Sequence, residues 1–168
     1  MAIKINDIPP EGLALELAQK IDLFDFGSDF AEFTADLRIK PEGKGIFHVA
    51  GRIQAIATLE CSRCLINFPY KMAFELNVDL APINSLATGP EHELVAGELD
   101  TEFYQNDEIN PIEFVKEQIL IAVPVVPLHS TECKGLCSVC GTDLNQSQCG
   151  HQRNEPGDFG SFAALKDY

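Results

Sequence analysis

Apolar and polar positions divide most of the chain into stretches of period two, with one stretch of helical period. Ile3-Lys4-Ile5 opens a short alternation that breaks at Pro9-Pro10. Leu13, Leu15 and Leu17 alternate within residues 13–23 and predict a strand, although the Ala, Leu, Glu and Lys content there also suits a helix. Residues 33–39 read as a strand closed by Pro41-Glu42-Gly43, and residues 46–59 as a long strand in which Gly51 predicts a bulge or bend. Residues 68–80 place Met72, Phe74, Leu76, Val78 and Leu80 on one face. These strands predict an antiparallel meander with one buried face.

The period then changes. Residues 82–99, with Pro, Gly, Asn, Ser and acids, read as a surface loop, and residues 99–104 as a further short strand. Asn110 caps a helix that starts at Pro111, and Glu113 completes a capping box. Ile112, Val115, Ile119 and Ala122 form the face that would pack on the sheet, and Pro124 and Pro127 end the element. Residues 158–168 read as one short amphipathic helix. The fold class is α+β: a mainly antiparallel β meander packed by one main helix over residues 1–128. A Cys-rich, zinc-knuckle-like C-terminal extension over residues 129–168 would pack on that core.

Chemistry concentrates in the extension. Cys133, Cys137, Cys140 and Cys149 hold four of the six cysteines, with the spacing C-x3-C-x2-C-x8-C. Two residues between thiols let both sulfurs face one ion, and Gly141 permits the turn that brings backbone N–H groups toward sulfur. Zn²⁺ held by these four thiolates is the favoured reading. A competing closure pairs Cys61-Ser-Arg-Cys64 with Cys137 and Cys140, and a third recruits His129 or His151. An iron–sulfur cluster is the competing metal centre. Four protein ligands leave no position for a reactive water, so the ion would be structural.

Other readings of the cysteines fail on context. Cys133-x3-Cys137-x2-Cys140 matches the signature of radical enzymes that use S-adenosylmethionine, but only 28 residues follow Cys140, too few for their barrel. Cys61 and Cys64 as a thioredoxin-like pair would need a helix after them, and another strand follows instead. His48 reads as a packed or rim residue in a strand, and His92 as a solvated loop residue. The sequence holds no phosphate loop, nucleophile elbow or paired helical histidines, so no enzyme activity is expected.

Composition narrows the partners. The 168 residues carry a net charge of −14, unevenly spread. Ten Asp and Glu and no Lys or Arg lie between Glu75 and Phe114. Arg38, Lys40, Lys44, Arg52, Arg63 and Lys71 oppose only Glu42 and Glu60 between residues 38 and 71. So acidic a chain repels polyphosphate at long range, which disfavours broad nonspecific RNA binding. A local basic face (Arg38, Lys40, Arg52, Arg63, Lys71) would contact nucleic acid, or the acidic stretch would meet a basic protein; the plainer reading is acidic surface that keeps the protein soluble. No apolar run approaches the ~20 residues of a membrane span, and the amino end is not a secretory signal, so a cytoplasmic protein with reduced cysteines is expected.

In order along the chain, Val49-Ala50-Gly51, Cys61-Ser-Arg-Cys-Leu65, Pro124-Val-Val-Pro-Leu128, the run from Cys133 to Asn145 and Phe162-Ala-Ala-Leu-Lys166 resemble the YceD family of bacteria and plastids. The resemblance covers most of the chain from about residue 33. It implies a non-enzymatic role in accumulation or processing of large-subunit ribosomal RNA, with that RNA, its precursor particles or a small basic ribosomal protein as partner. It also implies that any metal reinforces structure, since some members lack the tail cysteines, and His129 stands where many members carry another cysteine. The competing function is a thiol-redox or metal-sensing protein; a hydrolase acting on RNA is the least favoured.

Overall fold

The computed structural model describes residues 2–23, 30–85 and 101–151. Its strands are β1 (Ile3–Lys4), β2 (Leu13–Asp22), β3 (Phe30–Gly43), β4 (Ile46–Glu60), β5 (Asn67–Pro82), β6 (Thr101–Tyr104) and β7 (Glu108–Ile109), followed by helix α1 (Pro111–Ala122). The regular structure of the described chain is therefore mostly sheet, with one α-helix and a Cys-rich C-terminal segment. Of the expected loop over 82–99, Pro82 ends β5 and Ile83–Ser85 form a 3-10 turn, while residues 86–99 lie outside the described residues, as does the expected terminal helix over 158–168.

Five strands form one sheet in the order β2-β3-β4-β5-β6, and β1 pairs with β7. The alternation of Leu13, Leu15 and Leu17 does produce a strand, paired antiparallel with β3 from Leu13↔Ile39 to Asp22↔Phe30. Along β3 and β4 the inward positions are buried, including Phe33, Leu37, Ile39, Phe47, Val49 and Ile53, with Ala31, Ala35, Ala55 and Ala57 between them. On β5 the inward positions Met72, Leu76 and Leu80 are buried, whereas Phe74 and Val78 are half-buried. One departure from the meander is β6, which runs parallel to β5 through Asp79↔Thr101 to Pro82↔Tyr104. A parallel neighbour needs a crossover connection rather than a tight turn, and residues 83–100 supply the length.

Gly51 does not mark a bulge. The β3–β4 register runs unbroken through Leu37↔Gly51, and the register shift lies at Pro41/Gly43 instead. Gly51 serves a close backbone approach: a Cβ there would stand 2.0 Å from the Asp36 carbonyl oxygen.

Helix α1 begins where the sequence places it. Asn110 has extended backbone, and its side-chain oxygen accepts from the Ile112 amide at 3.3 Å. Its buried positions are Pro111, Phe114, Val115 and Ile119, so Phe114 belongs to the buried face while Ile112 and Ala122 sit at its margin. Gln118 on α1 donates to the Glu102 carboxylate on β6. Among the described residues no helix is long and apolar enough to cross a membrane.

Burial raises the Glu102 carboxyl above its ordinary pKa; the Gln118 hydrogen bond opposes the shift and the charge of Glu117 adds to it. A carboxyl with a raised folded pKa favours the fold while protonated, and this contribution is lost as pH rises through the folded value. Glu102→Gln keeps an acceptor for Gln118 and removes the ionisation. The variant is expected to melt higher than the parent at neutral pH and to show a flatter loss of stability between acidic and neutral pH. Equal melting temperatures across that range would refute the assignment.

The chain divides into two compact units, residues 1–59 with 69–125 and residues 60–68 with 126–168. The turn between β4 and β5 therefore belongs to the same unit as the Cys-rich segment.

Candidate metal centres

In the second unit, two local turns present pairs of cysteines. The first is 60–68, where the Cys61 amide donates to the Ile66 carbonyl (2.9 Å) and the Leu65 amide to the Cys61 carbonyl (2.9 Å). Leu65 takes a positive φ of 59° to close this turn. The second is 137–142, where the Cys137 amide donates to the Thr142 carbonyl (2.8 Å) and the Gly141 amide to the Cys137 carbonyl (2.9 Å). Gly141 has φ +71°, the left-handed conformation that glycine adopts at least cost.

Each turn joins a second pair of ligands from the tail. Cys61, Cys64, His129 and Cys133 form one group, and Cys137, Cys140, Cys149 and His151 another, with the ligand atoms of each group lying within 4.8 Å of one another. All six cysteines of the chain are used. The favoured set of the sequence reading is thus divided: Cys133 lies with Cys61 and Cys64, apart from Cys137, Cys140 and Cys149. The ribbon-like alternative of Cys61 and Cys64 with Cys137 and Cys140 is not brought together either. The two histidines that stood as alternatives, His129 and His151, each complete a group.

Backbone contacts explain the division. The Arg63 guanidinium donates to the Cys133 carbonyl at 2.9 Å, and the Leu136 amide donates to the Arg63 carbonyl at 3.0 Å. Gly135 (φ +73°) makes this approach possible, because a Cβ there would lie 3.0 Å from the Arg63 oxygen. Leu136 then bridges Asp143, so the chain turns back on itself just after Cys133 and carries Cys137 into the second group. Asn145 holds the junction: its Oδ1 accepts from the Lys134 amide at 2.8 Å, and its Nδ2 donates to Cys133 Sγ at 3.6 Å. Gly135 and Asn145 went unmarked as supports of the site; the Gly-x-Cys and Asp-x-Asn patterns beside the ligands were the available signal.

Separations within the groups fit a single ion. Around Zn²⁺, with Zn–S about 2.3 Å and Zn–N about 2.0–2.1 Å, a tetrahedron sets two sulfurs about 3.8 Å apart and a sulfur and a nitrogen about 3.6 Å apart. Cys61 Sγ and Cys133 Sγ are 3.8 Å apart, and His129 Nδ1 is 3.4 Å from both Cys61 Sγ and Cys64 Sγ. In the second group Cys137 Sγ lies 3.8 Å from His151 Nδ1. Either group could hold a metal ion.

Their surroundings differ. Cys61, Cys64 and Cys133 are buried, packed with Phe68, Leu128 and Leu136, and the Phe68 ring meets His129 edge-on at 6.4 Å. Burial raises the Cys61 thiol, but hydrogen bonds from His129, Arg63 and Cys64 outweigh it and bring the thiol down to about 5. Burial pushes Cys64 up to about 11; the Ile66 amide opposes this, and the neighbouring Cys61 and Cys133 add to it. In the second group Cys137 is buried, Cys149 half-buried, and Cys140 and His151 exposed. Backbone amides of Cys140 and Val139 lower Cys137 to about 7, and the Thr142 hydroxyl, 3.1 Å from Cys140 Sγ, lowers Cys140.

The basic residues singled out in the sequence are placed unevenly. Arg38, Lys40, Arg52 and Lys71 are all exposed, on positions alternating with the buried Leu37, Ile39, Ile53 and Met72. In the register Arg38 stands opposite Ala50, Lys40 opposite His48 and Asp36 opposite Arg52, so these share one side of the sheet. Acids stand among them: Arg52 pairs with Glu75 at 3.2 Å and His48 with Asp79 at 2.7 Å. Arg63 belongs to the second unit, bonded to the Cys133 carbonyl. Of the acidic stretch, residues 86–100 lie outside the described residues.

Residues 49–167 match the family model described as large ribosomal RNA subunit accumulation protein YceD. A protein of Haemophilus influenzae bearing that name is 28% identical over 102 residues, which cover 61% of this chain and 55% of that protein. An uncharacterized protein of Mycobacterium leprae is 28% identical over 115 residues, covering 68% of this chain and 50% of its own length. The chain thus spans about half the length of the curated relatives it matches. No solved structure matches it.

Proposed function

We propose that this chain, which belongs to the YceD family, is a non-enzymatic factor for accumulation of large-subunit ribosomal RNA, acting by binding that RNA or its precursor particles in the cytoplasm. The observation that carries the reading is the family match, which begins at Val49 within β4, runs through β5 and includes all eight candidate metal ligands. Zn²⁺ is the proposed ion, and its role is structural: four protein ligands in each group would fill a tetrahedron and leave no place for an activated water.

The proposed RNA contact is the end of the sheet bearing Arg38 and Lys40, neighbours on the solvent side of β3. Arg52 contributes less, because Glu75 already partners it. A few phosphate contacts on an acidic protein give binding confined to one face, with a shallow salt dependence set by the small number of phosphates neutralised. Depleting the protein from its host should lower large-subunit relative to small-subunit ribosomal RNA, and the parent gene should restore the ratio. Purified protein should co-sediment with large-subunit precursors, and Arg38→Glu/Lys40→Glu should weaken this at least about tenfold at low salt. An unchanged RNA ratio on depletion would overturn the function. Unchanged co-sedimentation of the double variant would overturn only the RNA face and favour capture of a basic ribosomal protein by the acidic stretch.

A further inference from the structure

We propose that the second unit carries two separate zinc ions of unequal exchange rate: a slow one on Cys61, Cys64, His129 and Cys133, and a fast one on Cys137, Cys140, Cys149 and His151. The inference goes beyond the ribosomal RNA reading and stands independently of it.

Two observations carry the number of ions. The eight ligands fall into two sets of three cysteines and one histidine, each closed within 4.8 Å. In chain order the ligand pairs are 61/64 with 129/133, then 137/140 with 149/151, so each tetrahedron takes two consecutive pairs. Three thiolates and one imidazole form a set that zinc accepts in closed sites. An iron–sulfur cluster would interpose several atoms between its ligands and spread them beyond the contacts of 3.4–3.8 Å seen in the first set.

Burial carries the inequality. A competing chelator or a second protein must reach the ion or a ligand before the ion leaves, and the hydrophobic shell round a metal site governs that access. The first site has three buried sulfurs, an apolar wall of Phe68, Leu128 and Leu136, and the Asn145 amide hydrogen-bonded to Cys133 Sγ. The second exposes Cys140 and His151, half its ligand set. Its ion is the one an outside ligand meets first.

The test uses the full chain. Elemental analysis of freshly purified protein should give about two zinc ions per chain. An excess of the chromophoric chelator 4-(2-pyridylazo)resorcinol should withdraw them in two phases of one equivalent each, the faster by at least about tenfold. Cys140→Ser should remove the fast phase and leave one slow equivalent. One zinc per chain, iron in place of zinc, a single phase of two equivalents, or a Cys140→Ser protein that keeps its circular dichroism yet loses both ions would each overturn the proposal. Because a variant can fail to fold, Co²⁺ titration of the reduced, metal-free parent gives a second reading. Thiolate-to-cobalt absorption that rises to two equivalents supports two sites, and saturation at one overturns them.

Discussion

Gly51→Ala is expected to abolish folding or to cost at least about 3 kcal/mol, the range of severe steric insertions into a packed interior. The added Cβ would stand 2.0 Å from the Asp36 carbonyl oxygen, 2.9 Å from Leu37 Cα and 3.0 Å from the Asp36 carbonyl carbon. All three are backbone atoms, so no side-chain rotation relieves the clash. The two strands must separate where Leu37 faces Gly51, with buried Ile39, Val49 and Ile53 on either side. Gly43→Ala is the informative control. Gly43 has φ +93° with open space around its missing Cβ, so the same added methyl meets only left-handed strain of about 1–2 kcal/mol. Urea unfolding of both variants decides the matter. A Gly51→Ala unfolding free energy within about 1 kcal/mol of the parent's would show that the close approach does not persist in solution.

Where one face of an element is buried, its apolar period was readable; where pairing depends on long connections, it was not. Leu13, Leu15 and Leu17 outvoted the helix-forming composition around them because strand β2 has a partner along its whole length, from Leu13↔Ile39 to Asp22↔Phe30. Asn110-Pro111 marked the helix start because an extended cap and a proline without an N–H suit the first turn. The burial of Phe114 was missed because a stripe of i, i+3 and i+4 positions is narrower than the arc this helix buries. The parallel pairing of β6 with β5 leaves no local trace, since antiparallel and parallel strands alternate alike. The candidate metal ligands are legible as residue types, but the sets into which the structure gathers them are not. Nearness in sequence grouped Cys133 with Cys137, whereas the Arg63–Cys133 and Leu136–Arg63 hydrogen bonds turn the chain between them. Taking cysteine and histidine together as four consecutive pairs would have exposed the division.

Removal of the proposed zinc ions is expected to unfold the second unit while β2, β3 and the inner parts of β4 and β5 keep their amide protection. The reason is the size of its core. Among the described residues, the buried cluster there consists of Cys61, Cys64 and Cys133, with Phe68, Leu128 and Leu136 partly buried against it. Burying a few such side chains yields about 1.5–3 kcal/mol each at most, against about 1–2 kcal/mol of backbone entropy for every residue ordered. For the described part of the unit the sum without ions is unfavourable, because the turns at 60–68 and 137–142 hold thiols where a self-sufficient unit would hold Leu or Phe. With them, the free energy of binding becomes free energy of folding, on the order of 10 kcal/mol for a structural zinc site. Hydrogen exchange read by mass spectrometry, with and without excess EDTA under reducing conditions, should show the Leu136, Cys137, Leu144 and Cys61 amides exchanging far faster once the ions are gone. Those amides donate to Arg63, Thr142, Gly135 and Ile66 in the folded unit. If verified loss of metal leaves their protection intact, the unit holds itself together by packing and hydrogen bonds, and the structural role assigned to zinc is wrong.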